Sequence, residues 1–349
     1  MIPEPFRIEP TFRPRSWGAR SLAPIFPEKT SWAEPIGEAW LTDVRCQVAG
    51  GPFAGMSLAE AWRYMPVEWR GERCANTQDF PLLVKFIFPT DKLSIQVHPD
   101  DGYAAQHEAA AGGRGKTEMW HVVSAEPNSQ LLIGLKPGTT KKEFTAAMGG
   151  RRLEELFEPH AAEARETFFI PAGIPHTIGP GMILFEVQQY SDLTYRVYDY
   201  GRVDGTGKPR ELHIEKALDV IKFGHPAVVR MRPLSWSSQM MTISLLVACR
   251  YFSTERWRIA EHFTASPKTD AFNLLVVLSG KGEIRHSIKK VHYQQGECWF
   301  MPASLKQYEL VPAGESVFLR TFVPDLEVLK SNLRGLGVSD SQIAEVVVE

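Results

Sequence analysis

Leu93-Ser94-Ile95-Gln96-Val97-His98-Pro99-Asp100-Asp101 is the stretch on which the reading of this chain turns. Strand alternation places Ile95 and Val97 on one face and Gln96 and His98 on the other. Pro99 ends the strand, and the two aspartates suit a turn or a helix cap. The polar face therefore closes on an amide oxygen and an imidazole two residues apart, a chelating pair. A strand with one wet face reads the same way in isolation, so the rest of the chain must decide.

The chain has 349 residues, which points to two domains. Its 44% hydrophobic and 23% charged content is that of a globular protein. A formal net charge of -2 gives no basis for nucleic-acid or anionic-membrane binding, and no protein partner can be read. No apolar run approaches the roughly 20 residues that cross a bilayer. The opening MIPEPFRIEPTFRPRSWG lacks the apolar core of a secretory signal. Cys46, Cys74, Cys249 and Cys298 are scattered without a CxxC pair, as expected of reduced thiols in a cytoplasmic protein. With 25 prolines, 27 glycines and short apolar runs, the expected class is mainly β, a sandwich or barrel with a few short helices.

Outward from the opening stretch, Ser57 and Glu60 form a capping box that predicts a helix to about Trp69. Phe80 to Phe88 is an apolar run and predicts a buried strand. Asp101 is expected to cap a helix closed by Gly112-Gly113. Lys116 to Val123 alternates as a strand, with Glu118, Trp120 and Val122 on one face and Lys116 at its mouth. Leu131–Leu135 is another strand, and Thr140 with Glu143 opens a second helical stretch. Thr167 to His176 reads as a strand entering a Pro/Gly turn that presents His176. Glu186 lies in the apolar strand Met182–Gln188, and Arg196 in the alternating run Thr194–Tyr200. An amphipathic helix is expected over Glu211–Phe223, burying Leu212, Ala217, Leu218 and Ile221. Gly224-His225-Pro226 then reads as a linker.

The second half, from about 236, repeats the first loosely. Pro302-Ala303 falls on Pro171-Ala172, which sets Gln307 at the position of His176. Val277-Leu278-Ser279-Gly280 falls on Val122-Val123-Ser124-Ala125, which sets Asn273 at the position of Glu118. The second copy has lost the stronger ligand at both places. The expected division is a metal-binding domain over 1–235 and a degenerate one without metal over 236–349.

Gln96, His98, Glu118 and His176 each sit on a strand or strand end, as a barrel requires if all point inward. Two imidazoles, a carboxylate and an amide oxygen suit a divalent ion such as zinc. Taken singly, each has a structural alternative: Gln96 solvated, Glu118 in an ion pair, His176 closing a turn. His121 alternates onto the face opposite Glu118 and is excluded. His107, His160, His213 and His225 read as surface residues in helix or linker contexts.

The collinear motifs QVHPDD, GKTEMWHVV, FIPAGIPHTIG, FEVQQYSDLTYRVYDYGR and GKPRELHIEKALDVI resemble the bacterial phosphomannose isomerases of the short, type I-related branch. The likeness is dense from about 81 to 223, recognisable over 16–70 and thin beyond 236. It implies two cupin-like jelly-roll barrels. It also implies one zinc ion, or another divalent metal, on His98, Glu118 and His176, with Gln96 as fourth ligand. Arg196 is implied as the active-site arginine, and Lys116 and Glu186 as lining the substrate site. The activity implied is interconversion of mannose 6-phosphate and fructose 6-phosphate through an enediol, with Glu186 or Lys116 moving the proton. Ser94, Lys116, Arg202, Lys208 and Arg210 are the groups available to a phosphate, Arg210 equally as a partner of Asp199 or Glu211. Two other readings fit the ligand types: a different metal-dependent sugar-active cupin, including a dioxygenase, and a non-catalytic sugar-binding cupin.

Overall fold

Short apolar runs between prolines and glycines become short strands, which assemble into two sandwich-like barrels packed back to back. The computed structural model describes residues 2–203, 207–224, 230–238, 240–266, 270–287 and 289–349. In the first barrel a six-stranded sheet runs in the order Thr167–Ile170, Glu118–Ala125, Met182–Gln189, Leu82–Ile87, Ile36–Trp40 and Thr11–Ala19. It faces a five-stranded sheet ordered Tyr195–Tyr198, Ile95–Val97, His176–Ile178, Gln130–Leu135 and Phe157–Ala161. In the second barrel an eight-stranded sheet, which includes Ser253–Ile259, Ser316–Phe322, Asn273–Ser279 and Cys298–Met301, is accompanied by a four-stranded one.

Alternation along the strands sorts the core into layers. From Glu118–Ala125, Trp120 and Val122 enter the first barrel with Ile133, Ile170 and Leu184. Met119, on the other face, joins Phe86, Phe185 and Val187 in a shared layer that includes Phe252, Phe272, Leu274 and Phe300 of the second half. Leu275 and Val277 point the other way, into the second barrel with Trp257, Tyr293 and Phe318. The N-terminus ties the halves further, since Phe6 pairs with Phe300 in the second barrel's large sheet.

Two glycines permit the close crossing that brings Arg15 and Glu38 toward the first barrel's mouth. A Cβ on Gly18 would lie 2.3 Å from the Gly37 nitrogen, and one on Gly37 2.6 Å from the Arg15 side chain. Only a residue without a side chain fits either place.

Several expected boundaries shift. The Ser57–Glu60 capping box is present, but the helix Leu58–Tyr64 stops before Pro66 and a separate turn, Val67–Arg70, follows. Asp100, not Asp101, caps the helix Asp101–His107, leaving the Asp101 side chain for other partners. The helix expected over Glu211–Phe223 is Ile214–Val220, and Leu212 lies outside it at 41% exposure while Ala217 and Ile221 are buried. His160 is on a strand, half-buried, with Nε2 at 3.3 Å from the Ile133 carbonyl. His225 and Pro226 lie outside the described residues. Gln307 is exposed, and the buried residue that opens the strand Tyr308–Pro312 is Tyr308. All four cysteines are free and buried. Among the described residues, no helix is long and apolar enough to cross a membrane.

Candidate metal centre and active site

The two sheets of the first barrel each contribute half of one site. On the five-stranded sheet, Gln96 is in register with His176 on one side and Arg196 on the other, so the three stand side by side. His98 follows at the end of the same strand, where Pro99 turns the chain away. On the six-stranded sheet, Glu118 opens its strand, and Glu186 is in register with Trp120 on one side and Lys85 on the other.

His98, Glu118 and His176 are buried, and one ligating atom from each lies within 4.8 Å of the others. His98 Nε2 is 3.4 Å from Glu118 Oε1, and His176 Nε2 is 3.7 Å from Glu118 Oε2. His98 Nδ1 is 2.8 Å from the Leu193 carbonyl and His176 Nδ1 is 2.9 Å from the Ile174 carbonyl. Each Nδ1 proton is therefore committed to the backbone, and each Nε2 turns its lone pair inward. Burial lowers the His98 pKa and the Lys116 charge lowers it further, while burial alone dominates the lowering at His176. Both rings are neutral, as ligands must be. Burial would raise the Glu118 carboxyl, but the Lys116 charge, with Lys85 behind it, outweighs burial and holds the group well below the usual carboxylate range. Its Oε2 is buried without a hydrogen-bond partner. An orphaned carboxylate oxygen beside two inward lone pairs fits a divalent cation.

Gln96 brings its amide to 3.4 Å from His176 Nε2, within reach of the same point. The Lys116 ammonium is buried against Glu118 Oε1 and lies 3.2 Å from His98 Nε2. His121, on the opposite face, is 3.0 Å from Thr167 Oγ1 and takes no part.

Lys85 is a site residue that the sequence reading passed over. It is buried in the run Phe80–Phe88, 2.9 Å from Glu186 and 3.2 Å from Glu38, which Arg15 meets at 2.7 Å. A lysine inside an apolar run was the available signal. Burial opposes its charge, but Glu186, Glu38 and Glu118 outweigh burial and keep it protonated. Glu186 receives the Trp120 indole N–H at 2.8 Å, yet its pKa is raised, by burial and then by the Glu118 charge. These two shifts pull against each other for an ion pair. One ammonium shared between two carboxylates reconciles them, with Glu186 the carboxylate that protonates more readily.

Arg196 is half-buried, donates from Nη1 to the Glu211 carbonyl at 2.9 Å, and has a buried Nε without a partner. Burial lowers its pKa, and the charges of Arg210, Arg202 and Arg15 add to that against the opposing Asp199, so the arginines outnumber the carboxylate in this cluster. Arg210 pairs with Asp199 at 2.7 Å through Nε, and Arg202 joins the same carboxylate at 2.5 Å. Ser94 is buried one strand alternation before Gln96. Lys208 makes an interaction of its own on the neighbouring loop. A cavity of about 660 Å³ lies elsewhere, around Phe12, Phe26 and Gln295.

The chain is similar to known proteins along most of its length. A family model described as phosphomannose isomerase type I, catalytic domain, matches residues 6–120, and one described as mannose-6-phosphate isomerase, cupin domain, matches 242–321. The mannose-6-phosphate isomerase ManA of Bacillus subtilis (strain 168) is 31% identical over 326 residues, covering 91% of this chain and 99% of that protein. The mannose-6-phosphate isomerase of Streptococcus mutans serotype c is 31% identical over 335 residues, covering 94% and 98%. A solved mannose 6-phosphate isomerase structure from Bacillus subtilis superposes with a TM-score of 0.83 at 28% identity, covering 91% of this chain and 99% of that one. At that identity over nearly its whole length, the chain belongs to the mannose-6-phosphate isomerase family.

Proposed function

We infer that this chain interconverts mannose 6-phosphate and fructose 6-phosphate at the centre built by His98, Glu118 and His176. The observation that carries the reading is the convergence of two neutral imidazoles and an orphaned carboxylate oxygen in a chain of this family. His98 and His176 through Nε2, Glu118 through Oε2, and Gln96 with its amide oxygen turned inward would hold one zinc ion. When bound, the zinc supplies Lewis acidity for the negative charge that develops on the sugar oxygens.

The chain's own residues carry the rest. Moving a proton between C1 and C2 of the open-chain sugar needs a base that can take it and return it. Glu186 is assigned that shuttle, because its raised pKa brings it nearer the range where both exchanges proceed. Lys85 and Trp120 fix its two oxygens and so its aim. Lys116, an ammonium within the site, is assigned to donate to a sugar oxygen and hold charge there. Arg196, in register with Gln96, is assigned to orient the substrate through its unpartnered Nε. Ser94 and Lys116 are assigned to binding, and the phosphate is drawn by the cationic cluster around Arg196. In this assignment residues 1–235 carry the chemistry and 236–349 form the barrel without metal.

The test is to purify the protein, measure its bound metal and follow mannose 6-phosphate conversion with and without chelator. The expected result is about one zinc per chain, with turnover lost on chelation and restored by zinc. No conversion by the fully zinc-loaded protein would overturn the reading.

A further inference from the structure

Gly115, Lys116 and Thr117 lead the chain into Glu118, and each has its backbone N–H tied to a defined acceptor. Gly115 donates to Asp101 Oδ1 at 2.8 Å, Lys116 to the Pro99 carbonyl at 3.0 Å, and Thr117 to Gln189 Oε1 at 2.9 Å. The two side-chain acceptors are tied to each other, since Gln189 Nε2 donates to Asp101 Oδ1 at 2.9 Å. Packing allows little slack: a Cβ on Gly115 would stand 2.6 Å from the Asp101 nitrogen. Asp101 is the hub of this brace, free to serve because Asp100 does the capping.

The remaining oxygen of the hub is held from the other barrel. Tyr251 OH donates to Asp101 Oδ2 at 2.5 Å, and the exposed Arg250 adds a weaker contact at 3.5 Å. Both belong to the turn between the second-barrel strands Met241–Ala248 and Ser253–Ile259. Bonds from Tyr251, Gly115 and Gln189 outweigh burial and keep the Asp101 carboxyl low, so every donor meets an anion. We propose that Tyr251 is a positioning residue for the isomerase site, acting through Asp101 on the backbone that carries Lys116 and Glu118. The proposal rests on the function inferred above. It gives the second barrel, where no metal-binding cluster is found among the described residues, a share in the first barrel's chemistry.

Tyr251→Phe removes the hydroxyl and keeps the ring. In the zinc-loaded enzyme it should lower kcat about tenfold, the scale of a small misplacement of reacting groups. KM for mannose 6-phosphate should change less than kcat, and zinc per chain should stay at the wild-type level in the zinc-loaded enzyme, because a slackened backbone misaims Lys116 and Glu118 without removing either side chain. Amide hydrogen exchange over residues 114–119 should quicken relative to wild type. Asp101→Asn, which keeps Oδ1 as acceptor and can still bond Tyr251, should retain most of kcat, whereas Asp101→Ala should match or exceed the Tyr251→Phe loss. Unchanged exchange over 114–119 overturns the proposal, as does a kcat fall that only tracks lost zinc or lost thermal stability. An inactive wild-type enzyme would instead sink the isomerase reading, while the exchange experiment would still decide the brace.

Discussion

In the first barrel Lys85 faces Glu186 on the neighbouring strand; at the corresponding rungs of the second barrel, Glu255 faces Arg320. The correspondence follows from the ladders. Glu118 pairs with Ile170, the residue before Pro171, and Asn273 pairs with Met301, the residue before Pro302. Two positions on, Trp120 is opposite Glu186 and Leu275 is opposite Arg320. The ladders even break at the same place, one unpaired residue being Val123 and the other Leu278. The two barrels therefore share a scaffold that places a buried ion pair at one spot and accepts it in either polarity. In each, an indole N–H supports the carboxylate, Trp120 on Glu186 at 2.8 Å and Trp257 on Glu255 at 2.7 Å. What differs is the neighbour. Glu186 stands near Glu118 of the candidate metal cluster, whereas Arg320 spends its Nε on Asn273 at 2.8 Å and its Nη1 on Glu255 at 2.8 Å. The ion pair is architecture; the His98–Glu118–His176 cluster is a separate layer laid over it, found among the described residues in the first barrel.

The comparison is tested hardest at the ligand positions. His176→Ala should release zinc and lower kcat/KM by more than about 10²-fold while the fold persists. Asn273→Ala, at the rung equivalent to Glu118, should leave zinc content and turnover at wild-type level. Metal analysis beside the isomerase assay reads both, and retained zinc in His176→Ala would remove that residue from the ligand set.

Next in size is the ion pair. Arg320→Met strands a buried Glu255 carboxylate and should cost about 3–5 kcal/mol in urea unfolding, with zinc content unchanged. Lys85→Met should cost a similar amount and also lower kcat, because Glu186 loses its anchor. Equal kinetic damage from both variants would show that the two pairs do the same job, against the division drawn here.

The cluster of His98, Glu118 and His176 was partly readable in the sequence because alternation is local: His98 and Glu118 declare their faces within a few residues. His121 was excluded by the same rule, and its bond to Thr167 on the far face agrees. Lys85 escaped because its meaning depends on Glu38 and Glu186, which reach it only through sheet pairing across 47 residues in one direction and many more in the other. Gln307, which falls on His176 by letters, is exposed, and its neighbour Tyr308 is the buried residue, because exposure changes from one position to the next at the start of a strand. Asp100 and Asp101 were equally good caps on paper. Which one caps depends on where Pro99 releases the chain, and that choice decides whether Asp101 can brace the site. The helix expected from Glu211 starts later because His213 is drawn back to the sheet, its backbone N–H bonding the Arg196 carbonyl at 2.8 Å.

The smallest effect comes from a rung facing the layer between the barrels. His121 pairs with Thr167 in the first barrel, and the equivalent rung of the second is Val276 with Cys298, an apolar pair. Burial, reinforced by Arg256 and Arg165, pushes the His121 pKa down to about 3. A histidine lowered on folding binds its proton more readily in the unfolded chain, so its contribution is complete above about pH 6.5 and drains away as pH falls toward the folded value. Within that window the loss should approach about 1.4 kcal/mol per pH unit, seen as a falling urea midpoint. Replacing His121 and Thr167 together by valine copies the second barrel's solution and leaves no buried donor or acceptor unpaired. That double variant should lose stability less steeply than wild type between about pH 6 and 4. If both proteins fall in parallel, the acid sensitivity lies in carboxylates elsewhere, and the polar rung is as inert as its apolar counterpart.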